Sequence, residues 1–351
     1  MTYIAKPKVH HPSLKPNAIG LTRRDYEGAI TTLCAGCGHD SITAAIIQAF
    51  YELSIPPHKV AKLSGIGCSS KTPAYFLREA HGFNSVHGRM PAVATGANAA
   101  NGDLILIGVS GDGDSLSIGL GQMCHAIRRN VNMAYILENN GVYGLTKGQF
   151  SASADKGSTA KKGEANSMEP IDGVLLALTL GATFVARSFS GDKKQLVPIL
   201  KAAITHRGFA FVDVISPCVT FNDHEGSTKS YAHTREHKVD VVQADFVPHR
   251  DEITTDYEAG SLQNVMLHDG SWVKLRKLAE DYDPTNRDAA YAYVREHQKK
   301  GEVVTGLLYL NADSQDVHQQ NDTVSVPLYN MPHDQLCPGN DALQKLMAQF
   351  R

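Results

Sequence analysis

The sequence predicts a doubly wound α/β fold built on a mainly parallel β-sheet. Strand-like and helix-like segments alternate from about residue 31 to residue 216. Segment 103–110, DLILIGVS, is a continuous apolar run, as expected for a central strand covered on both faces. Polar and Gly-rich loops follow several of the strand-like segments, at the sheet edge where such folds bind ligands.

The spacing of apolar residues assigns each segment in turn. In TTLCAGCGHDSITAAIIQAFYEL they recur at helical intervals, so we expect a helix that begins near Asp40. KVAKLSGIG predicts a short strand leading into a Gly-rich turn, and PAVATGANAAN a tightly packed helix. After DLILIGVS and GDGD, a helix is expected to carry Leu116, Leu120, Met123 and Ile127 on one face, and VNMAYILE forms the next strand. The alternation of helix and strand continues in four further segments, which are GVLLALTLGA, TFVAR, DKKQLVPILKAAITH and FAFVDVI.

The pattern divides the chain into three parts. Residues 1–30 are a polar N-terminal arm, residues 31–244 form the ligand-binding domain, and residues 245–351 are a C-terminal extension. In the extension, SLQNVMLHDGSWVKLR predicts a hairpin. Asp283-Pro284 is expected to open a helix that Gly301 ends, and VVTGLLYL predicts a further strand.

The composition limits the classes of protein that fit. Of the 351 residues, 42% are hydrophobic and 20% are charged, which excludes a disordered chain, a collagen and a coiled coil. The net charge of −2 gives no support to a nucleic-acid or membrane-surface role. No apolar run is long enough to span a bilayer and the N-terminus has no apolar signal core, so we expect a cytoplasmic protein.

The first group of chemically interesting residues is GDG at 111–113 with the Asn139-Asn140 pair. One helix and one strand separate them, so the two loops are expected to lie side by side. The Asp112 carboxylate, the Asn140 side chain and a backbone carbonyl near Val142 offer hard oxygen ligands for Mg²⁺. Gly111 and Gly113 allow a diphosphate to approach the backbone, and the helix that follows favours its negative charge. The pair of motifs therefore predicts a diphosphate site.

The second group consists of cysteines in loops. In a cytosolic chain we expect the six cysteines to be reduced. Four of them lie in three loops that can converge on one metal centre: Cys34, Cys37, Cys68 and Cys218. Four thiolates suit tetrahedral zinc or an iron–sulfur cluster, and the spacing does not choose between them. Cys124 is expected to be a buried inert thiol, and Cys337 a bystander.

Six segments of the chain together resemble the β subunits of 2-oxoacid:ferredoxin oxidoreductases. These segments are CAGCGH, GIGCSSK, HGR, SGDGD, ENNGVYGLTKGQ and SPCVTFND. The resemblance covers roughly residues 20–240, and it is specific because several unrelated spacings match at once. It implies the diphosphate-binding half of the thiamine-diphosphate fold. It also implies three cofactors, namely thiamine diphosphate, Mg²⁺ and one [4Fe–4S] cluster.

The resemblance also implies roles for individual residues. Cluster ligands would be Cys34, Cys37, Cys68 and Cys218, and Mg²⁺ ligands would be Asp112, Asn140 and the Val142 carbonyl. His39 would support its loop or contact the cofactor. Residues expected to bind or line thiamine diphosphate are Ile66, Gly67, Cys68, Ser69, His87, Gly111, Gly113, Asp114, Gly144, Leu145, Thr146, Lys147, Gly148 and Gln149.

In such an enzyme a 2-oxo acid is decarboxylated on the thiazolium ring, which serves as the electron sink. The cluster passes two electrons, one at a time, to ferredoxin, and coenzyme A takes the acyl group. No motif here can be assigned to the acid that activates the aminopyrimidine ring. The resemblance implies that a separate α subunit supplies this glutamate and most of the coenzyme A site. The C-terminal extension is expected to pack on that subunit.

Two lysines bear on the substrate. Lys71 follows Cys68 by three residues, and Lys147 lies in GLTKGQ. Both belong to expected ligand loops, and a dicarboxylate such as 2-oxoglutarate carries a second charge that must be paired when it leaves water. The LTKGQ segment resembles the 2-oxoglutarate or broad-specificity type. We therefore expect 2-oxoglutarate as substrate, with Lys71 as its contact, and a pyruvate or broad-range enzyme as the alternative.

Two other classes of protein remain open. A one-chain thiamine decarboxylase or synthase has the same GDG and NN signature, but it lacks the cysteine set and needs a second thiamine-fold half. An electron-transfer or zinc-stabilised subunit would hold metal without thiamine. Assays of iron, sulfide and thiamine separate these three possibilities.

Overall fold

The computed structural model describes residues 13–146, 148–158, 165–219, 251–267 and 272–350. Its centre is a nine-stranded sheet with the order β2-β1-β3-β4-β8-β7-β11-β10-β9. These strands are β1 (Val60–Ser64), β2 (His81–Asn84), β3 (Ile105–Gly111), β4 (Met133–Asn139), β7 (Phe184–Phe189), β8 (Phe209–Ile215), β9 (Leu262–Met266), β10 (Trp272–Lys277) and β11 (Val303–Leu310). The short strands β5 (Val142–Tyr143) and β6 (Gln149–Phe150) form a separate antiparallel pair.

The six strands from β2 to β7 are parallel, as the continuous apolar runs predict. Strand β11 is antiparallel to β7, β10 is parallel to β11, and β9 forms the antiparallel hairpin with β10. The carboxyl ends of β1, β3 and β4 therefore meet at one edge of the sheet, where the predicted ligand loops follow them.

Helices cover both faces of the sheet, which confirms the doubly wound fold class. Helices α1 (Gly38–Leu53) and α5 (Lys193–Thr205) lie on one face. On the other face lie α2 (Met90–Ala100), α3 (Leu120–Arg128), α4 (Gly173–Leu180) and α6 (Arg287–Lys299). Among the described residues, no helix is both long and apolar enough to cross a membrane.

The central strands alternate their side chains between two apolar cores. On β4, Tyr135 and Leu137 point into the core under α3 and α4, whereas Ala134 and Ile136 point into the core under α1 and α5. All four are buried. At about 25 cal/mol per Å² of buried apolar surface, burial on both faces makes this strand a major contributor to stability.

The start of α6 differs from the prediction. The helix begins at Arg287, and Asn286 is its cap, since the Asn286 Oδ1 accepts a hydrogen bond of 3.0 Å from the Ala289 amide. Asp283 instead closes a turn, accepting hydrogen bonds from the amide and hydroxyl of Thr285. Both Asp283 and Asn286 are good cap residues, and the sequence signal alone placed the boundary three residues early.

The helix after GDG also differs from a simple α-helix. Residues Gly113–Ile118 form a π-helical turn in which the Gly119 amide donates to the Asp114 carbonyl over 2.8 Å. Such turns are rare and are frequently found at functional sites. Beyond β11, the chain continues through α7 (Val317–Gln320), α8 (His333–Leu336) and α9 (Gly339–Ala348).

Candidate active site

A cavity lies at the carboxyl ends of β1, β3 and β4, and the loops after these strands supply most of its walls. The sequence had singled out most of the lining residues, which are His39, Ile66, Gly67, Cys68, Ser69, His87, Gly111, Asp112, Gly113, Asp114, Asn140, Val142, Gly144, Leu145 and Thr146. Glu138 and Tyr143 also line it. The GDG loop, the NN loop and the first part of the GIGCSS loop thus share one cavity.

Asp112 is buried at the end of β3 and faces the loop that follows β4. Its Oδ1 lies 3.5 Å from the Asn140 amide, and its Oδ2 accepts hydrogen bonds from the hydroxyls of Ser151 and Ser153. Asn140 is also buried, and its Oδ1 accepts from the Val142 amide over 3.1 Å. The three residues predicted as Mg²⁺ ligands are therefore neighbours in space.

Asp114 forms hydrogen bonds with residues of neighbouring loops and of β3. Its carboxylate accepts hydrogen bonds from the Ser110 hydroxyl at 2.7 Å, the Gly88 amide at 2.7 Å and the Ile66 amide at 3.3 Å. A side chain at Gly65 would place a Cβ 2.0 Å from this carboxylate. The His87 Nδ1 lies 2.5 Å from Asp114 Oδ1, a close contact that lacks hydrogen-bond geometry. Asp114 thus places the loops that carry Ile66 and His87 against the cavity.

Two contacts require the glycines of the GDG loop. A Cβ at Gly113 would lie 2.5 Å from the Tyr143 ring, and one at Gly111 would lie 2.8 Å from the Ser69 hydroxyl. The Tyr143 hydroxyl donates to the Gly113 carbonyl over 3.1 Å. Larger residues at these two positions would push the neighbouring loops outward and change the cavity.

Glu138 is a site residue that the sequence analysis missed. It is the penultimate residue of β4, it is fully buried, and neither of its carboxylate oxygens has a hydrogen-bond partner among the described residues. Burial raises the pKa of Glu138 well above its usual value. Its place at the end of a buried apolar strand, directly before the NN pair, was the signal that could have identified it.

His39 lies beside Glu138. Its Nδ1 is 3.5 Å from the Glu138 carboxylate and 2.6 Å from the Ser216 hydroxyl. Burial lowers the pKa of His39 to about 4. The imidazole is therefore neutral at physiological pH, and it links the start of α1 to the loop after β8.

The four predicted cluster cysteines lie in three loops near one another. The Gly38 amide donates to the Pro217 carbonyl, which joins the Cys37 loop to the Cys218 loop. Burial and the nearby Cys218 raise the pKa of Cys37 well above its usual value. Burial also raises the pKa of the Cys68 thiol, with an opposing effect from Lys71 and a smaller contribution from Cys34. Among the described residues, however, no three Cys, His, Asp or Glu side chains are placed to hold a metal ion.

The remaining predicted residues lie around the cavity. Lys71 sits in a 3₁₀ turn, Ser69–Ala74, outside the lining, and its amide donates to the Cys68 carbonyl over 3.1 Å. The Gly148 amide donates to the Tyr143 carbonyl, and Gln149 Oε1 accepts from the Thr146 hydroxyl, so both stabilise the β5–β6 hairpin and do not line the cavity. Lys147 lies outside the described residues.

Lys62 holds the segment after Cys68 in place. From β1, its buried ammonium group donates to the carbonyls of Phe76 and Leu77 over 2.7 and 2.9 Å. Burial lowers the pKa of Lys62 to about 8. These bonds fix the end of the loop that carries Cys68 and Lys71.

Comparison with known proteins identifies the family. Residues 65–214 match the model of the C-terminal TPP-binding domain of thiamine pyrophosphate enzymes. The 2-oxoacid:ferredoxin oxidoreductase β subunit of Sulfolobus sp is 43% identical over 210 residues, which span 60% of this chain and 68% of the relative. The 2-oxoglutarate oxidoreductase subunit KorB of Mycobacterium tuberculosis is 44% identical over 60% of this chain and 58% of its own length.

A solved structure extends the likeness to the C-terminal part of the chain. The 2-oxoglutarate:ferredoxin oxidoreductase of Magnetococcus marinus, solved with 2-oxoglutarate, coenzyme A and succinyl-CoA bound, superposes with a TM-score of 0.69 at 29% identity. The superposition covers 93% of this chain and 97% of that chain. With the thiamine-binding domain and the relatives in agreement, this chain belongs to the β subunits of the 2-oxoacid:ferredoxin oxidoreductases.

Proposed function

We propose that this chain is the β subunit of an enzyme that converts 2-oxoglutarate and coenzyme A to succinyl-CoA and carbon dioxide and reduces ferredoxin. The observation that carries the proposal is the single cavity lined by the GDG loop, the NN loop and Cys68. It supports a reaction in which decarboxylation and electron removal occur side by side. The reaction is reversible in principle, and we expect a cytoplasmic enzyme.

The residues present fit thiamine diphosphate and Mg²⁺. Asp112, Asn140 and the Val142 carbonyl are the oxygens that would hold the cation, and Gly111 and Gly113 line the cavity in which a diphosphate would lie. The buried carboxylate of Glu138 lines the same cavity without a hydrogen-bond partner among the described residues, which is typical of a site that a ligand completes. When bound, thiamine diphosphate supplies the carbon nucleophile and the electron sink for 2-oxo acid decarboxylation.

A [4Fe–4S] cluster is proposed on Cys34, Cys37, Cys68 and Cys218. In such a cluster each thiolate binds a different iron, so the four sulfur atoms do not need to surround one ion. Beyond the effect of burial, the pKa of Cys37 is raised by Cys218 and that of Cys68 by Cys34, which supports the proximity of the three loops. Cys68 lines the cavity and would bring the cluster next to the reacting atoms.

The α subunit is proposed to complete the site with a catalytic glutamate and most of the coenzyme A site. The cavity in this chain measures about 80 Å³. Pockets that enclose small ligands are typically about 300–1,000 Å³. This small volume supports the proposal that a surface of the α subunit encloses the rest of the ligands, and we propose that the C-terminal extension also packs on that subunit.

The first experiment tests the cofactors. The α–β complex, purified anaerobically, should contain iron, acid-labile sulfide and thiamine diphosphate, and it should reduce ferredoxin only when 2-oxo acid and coenzyme A are both present. Metal without thiamine would favour an electron-transfer subunit, and thiamine without iron would favour a simple decarboxylase or synthase. Either result would contradict the proposal.

The second experiment tests the substrate through Lys71. Its ammonium group is close enough to lower the pKa of Cys68, at the edge of the cavity. A lysine–carboxylate pair at a partly wet site contributes roughly 1–3 kcal/mol. Lys71→Met should therefore reduce kcat/KM for 2-oxoglutarate by about tenfold or more and change that for pyruvate much less.

Lys156→Met is the matched control, because Lys156 forms an exposed ion pair with Glu169 on the surface. It should leave both substrates unaffected. Equal losses on both substrates in Lys71→Met would assign Lys71 to the cofactor, the shared 2-oxo acid group or the fold. A wild-type preference for pyruvate would overturn the choice of 2-oxoglutarate.

A further inference from the structure

We infer that Ser151 and Ser153, in the loop after β6, are positioning residues that hold Asp112 in the orientation required to bind Mg²⁺. This inference rests on the proposed role of Asp112 and adds to it two residues outside the GDG and NN motifs. Both hydroxyls converge on one carboxylate oxygen, Asp112 Oδ2, and Ser153 Oγ lies 2.7 Å from it. All three side chains are buried.

The two oxygens of Asp112 therefore have different surroundings. Oδ2 is engaged by the two hydroxyls, whereas Oδ1 faces the Asn140 amide at 3.5 Å, on the side of the other proposed cation ligands. Hydrogen bonds to a charged acceptor are among the stronger ones in proteins. Two of them on one oxygen restrict rotation of the carboxylate and keep the other oxygen directed towards the cation.

Ser153 lies next to a buried polar chain that offers its hydroxyl an alternative acceptor. Its hydroxyl lies 2.9 Å from Asn139 Oδ1, and the Asn139 amide group donates to Asp213 over 3.2 Å. Asp213 accepts in turn from Arg187 over 2.8 Å. Because the Ser153 hydroxyl has one proton, it donates to one acceptor at a time, and the Asp112 carboxylate is the stronger of the two.

Replacing either serine by alanine removes one donor from a buried carboxylate without changing the cation ligands themselves. For the α–β complex, we expect the Mg²⁺ concentration that retains half of the thiamine diphosphate to rise by about tenfold in Ser153→Ala or Ser151→Ala. Ser153→Thr keeps the hydroxyl and should restore retention. Iron content and the thermal unfolding midpoint should stay close to those of the wild type in all of these variants.

Ser117→Ala is the matched control. The Ser117 hydroxyl accepts a hydrogen bond of 3.0 Å from the Ala152 amide, so it anchors the same loop without touching Asp112. This variant should retain thiamine diphosphate as the wild type does. An equal loss in Ser117→Ala, or unchanged retention in both serine variants, would overturn the inference.

Failure of the proposed function gives a different result. In that case the wild-type complex would not retain thiamine diphosphate at any Mg²⁺ concentration, or Asp112→Ala would retain it as well as the wild type. Either outcome would remove the role of Asp112 and the inference with it. If Asp112→Ala loses the cofactor while both serine variants keep it, only the positioning role is overturned.

Discussion

Asp112, Asp114 and Glu138 are three buried carboxylates beside one cavity, and the protein surrounds each of them differently. Asp112 has hydroxyl donors on one oxygen, and Asp114 has a hydroxyl and two backbone amides. Glu138 lies 3.5 Å from the neutral His39 ring without a hydrogen bond, and its burial disfavours the ionised form and raises its pKa. The chain thus provides hydrogen-bond donors for Asp112 and Asp114, whereas the Glu138 carboxylate has none among the described residues.

The proposed cluster gives a prediction for a single cysteine. Cys218→Ala should remove the cluster or make it labile, because three thiolates leave one iron without a protein ligand. Iron and acid-labile sulfide should fall sharply in the anaerobically purified complex, and ferredoxin reduction should fall with them. Cys124→Ala is the control, because Cys124 lies on α3, outside the three loops. Full iron content in Cys218→Ala would exclude Cys218 as the fourth ligand.

The site could be predicted from the sequence where short motifs fix the chemistry. GDG and NN follow adjacent parallel strands, so the α/β pattern alone was enough to predict that the two loops meet. Ser151 and Ser153 carried no such signal, since serines in a loop are common and only the folded loop brings them to Asp112. His39 was a candidate from its place beside Cys37, but its contact with Ser216, 177 residues away in the chain, could not be predicted.

Individual strands and helices followed their local patterns closely. The segment VVTGLLYL is strand β11, and FAFVDVI is strand β8, because β-branched and aromatic residues in short apolar runs favour buried strands. The predicted start of α6 was wrong because two residues that favour helix caps, Asp283 and Asn286, lie within four positions of each other. Asp283 satisfies the Thr285 amide in a turn, and the helix starts only after Asn286.

The assignment of the α6 cap can be tested by stability. Asn286→Ala should lower the free energy of unfolding by about 1 kcal/mol, since the Ala289 amide loses its acceptor. Asp283→Ala should lower the free energy of unfolding by less, because it removes hydrogen bonds of an exposed turn. Chemical denaturation of the two variants beside the wild type measures the difference. A larger loss for Asp283→Ala would place the functional cap at the position that the sequence indicated.

The whole molecule is organised by one sheet that runs from the thiamine-binding domain into the C-terminal extension. Strand β11 pairs with β7, and β10 and β9 follow, so three strands of the extension continue the sheet away from the cavity. The sequence identified these strands and the β9–β10 hairpin, but not the pairing of β11 with β7 or of β10 with β11. Pairing between segments more than 100 residues apart depends on tertiary packing, which local periodicity does not report.

The last part of the chain adds no buried residue to this core. No residue in the range 324–350 is buried, and its exposed large apolar residues include Val324, Tyr329, Leu336, Leu343, Leu346, Met347 and Phe350. On α9, Leu343, Leu346 and Met347 recur at helical spacing and form one apolar face with Phe350 just beyond the helix. A ten-residue helix is marginal in water without tertiary contacts. We therefore expect this face to be covered in the assembled enzyme, and we propose that the α subunit covers it.

Co-purification with a tagged α subunit tests this proposal with two variants that each add one negative charge to α9. Leu346→Glu places a carboxylate in the apolar face and should strongly reduce the amount of this chain recovered with the α subunit, because a charge cannot be buried there without a partner. Gln344→Glu adds the same charge outside the Leu343, Leu346 and Met347 face and should leave recovery unchanged. Since residues 324–350 contribute no buried residue to the core, Leu346→Glu should keep the wild-type unfolding midpoint when the chain is purified alone. Full recovery of Leu346→Glu with the α subunit would contradict the proposal. If Leu346→Glu is recovered fully with the α subunit but no longer associates with other copies of this chain, the α9 face would instead contact a second copy of this chain.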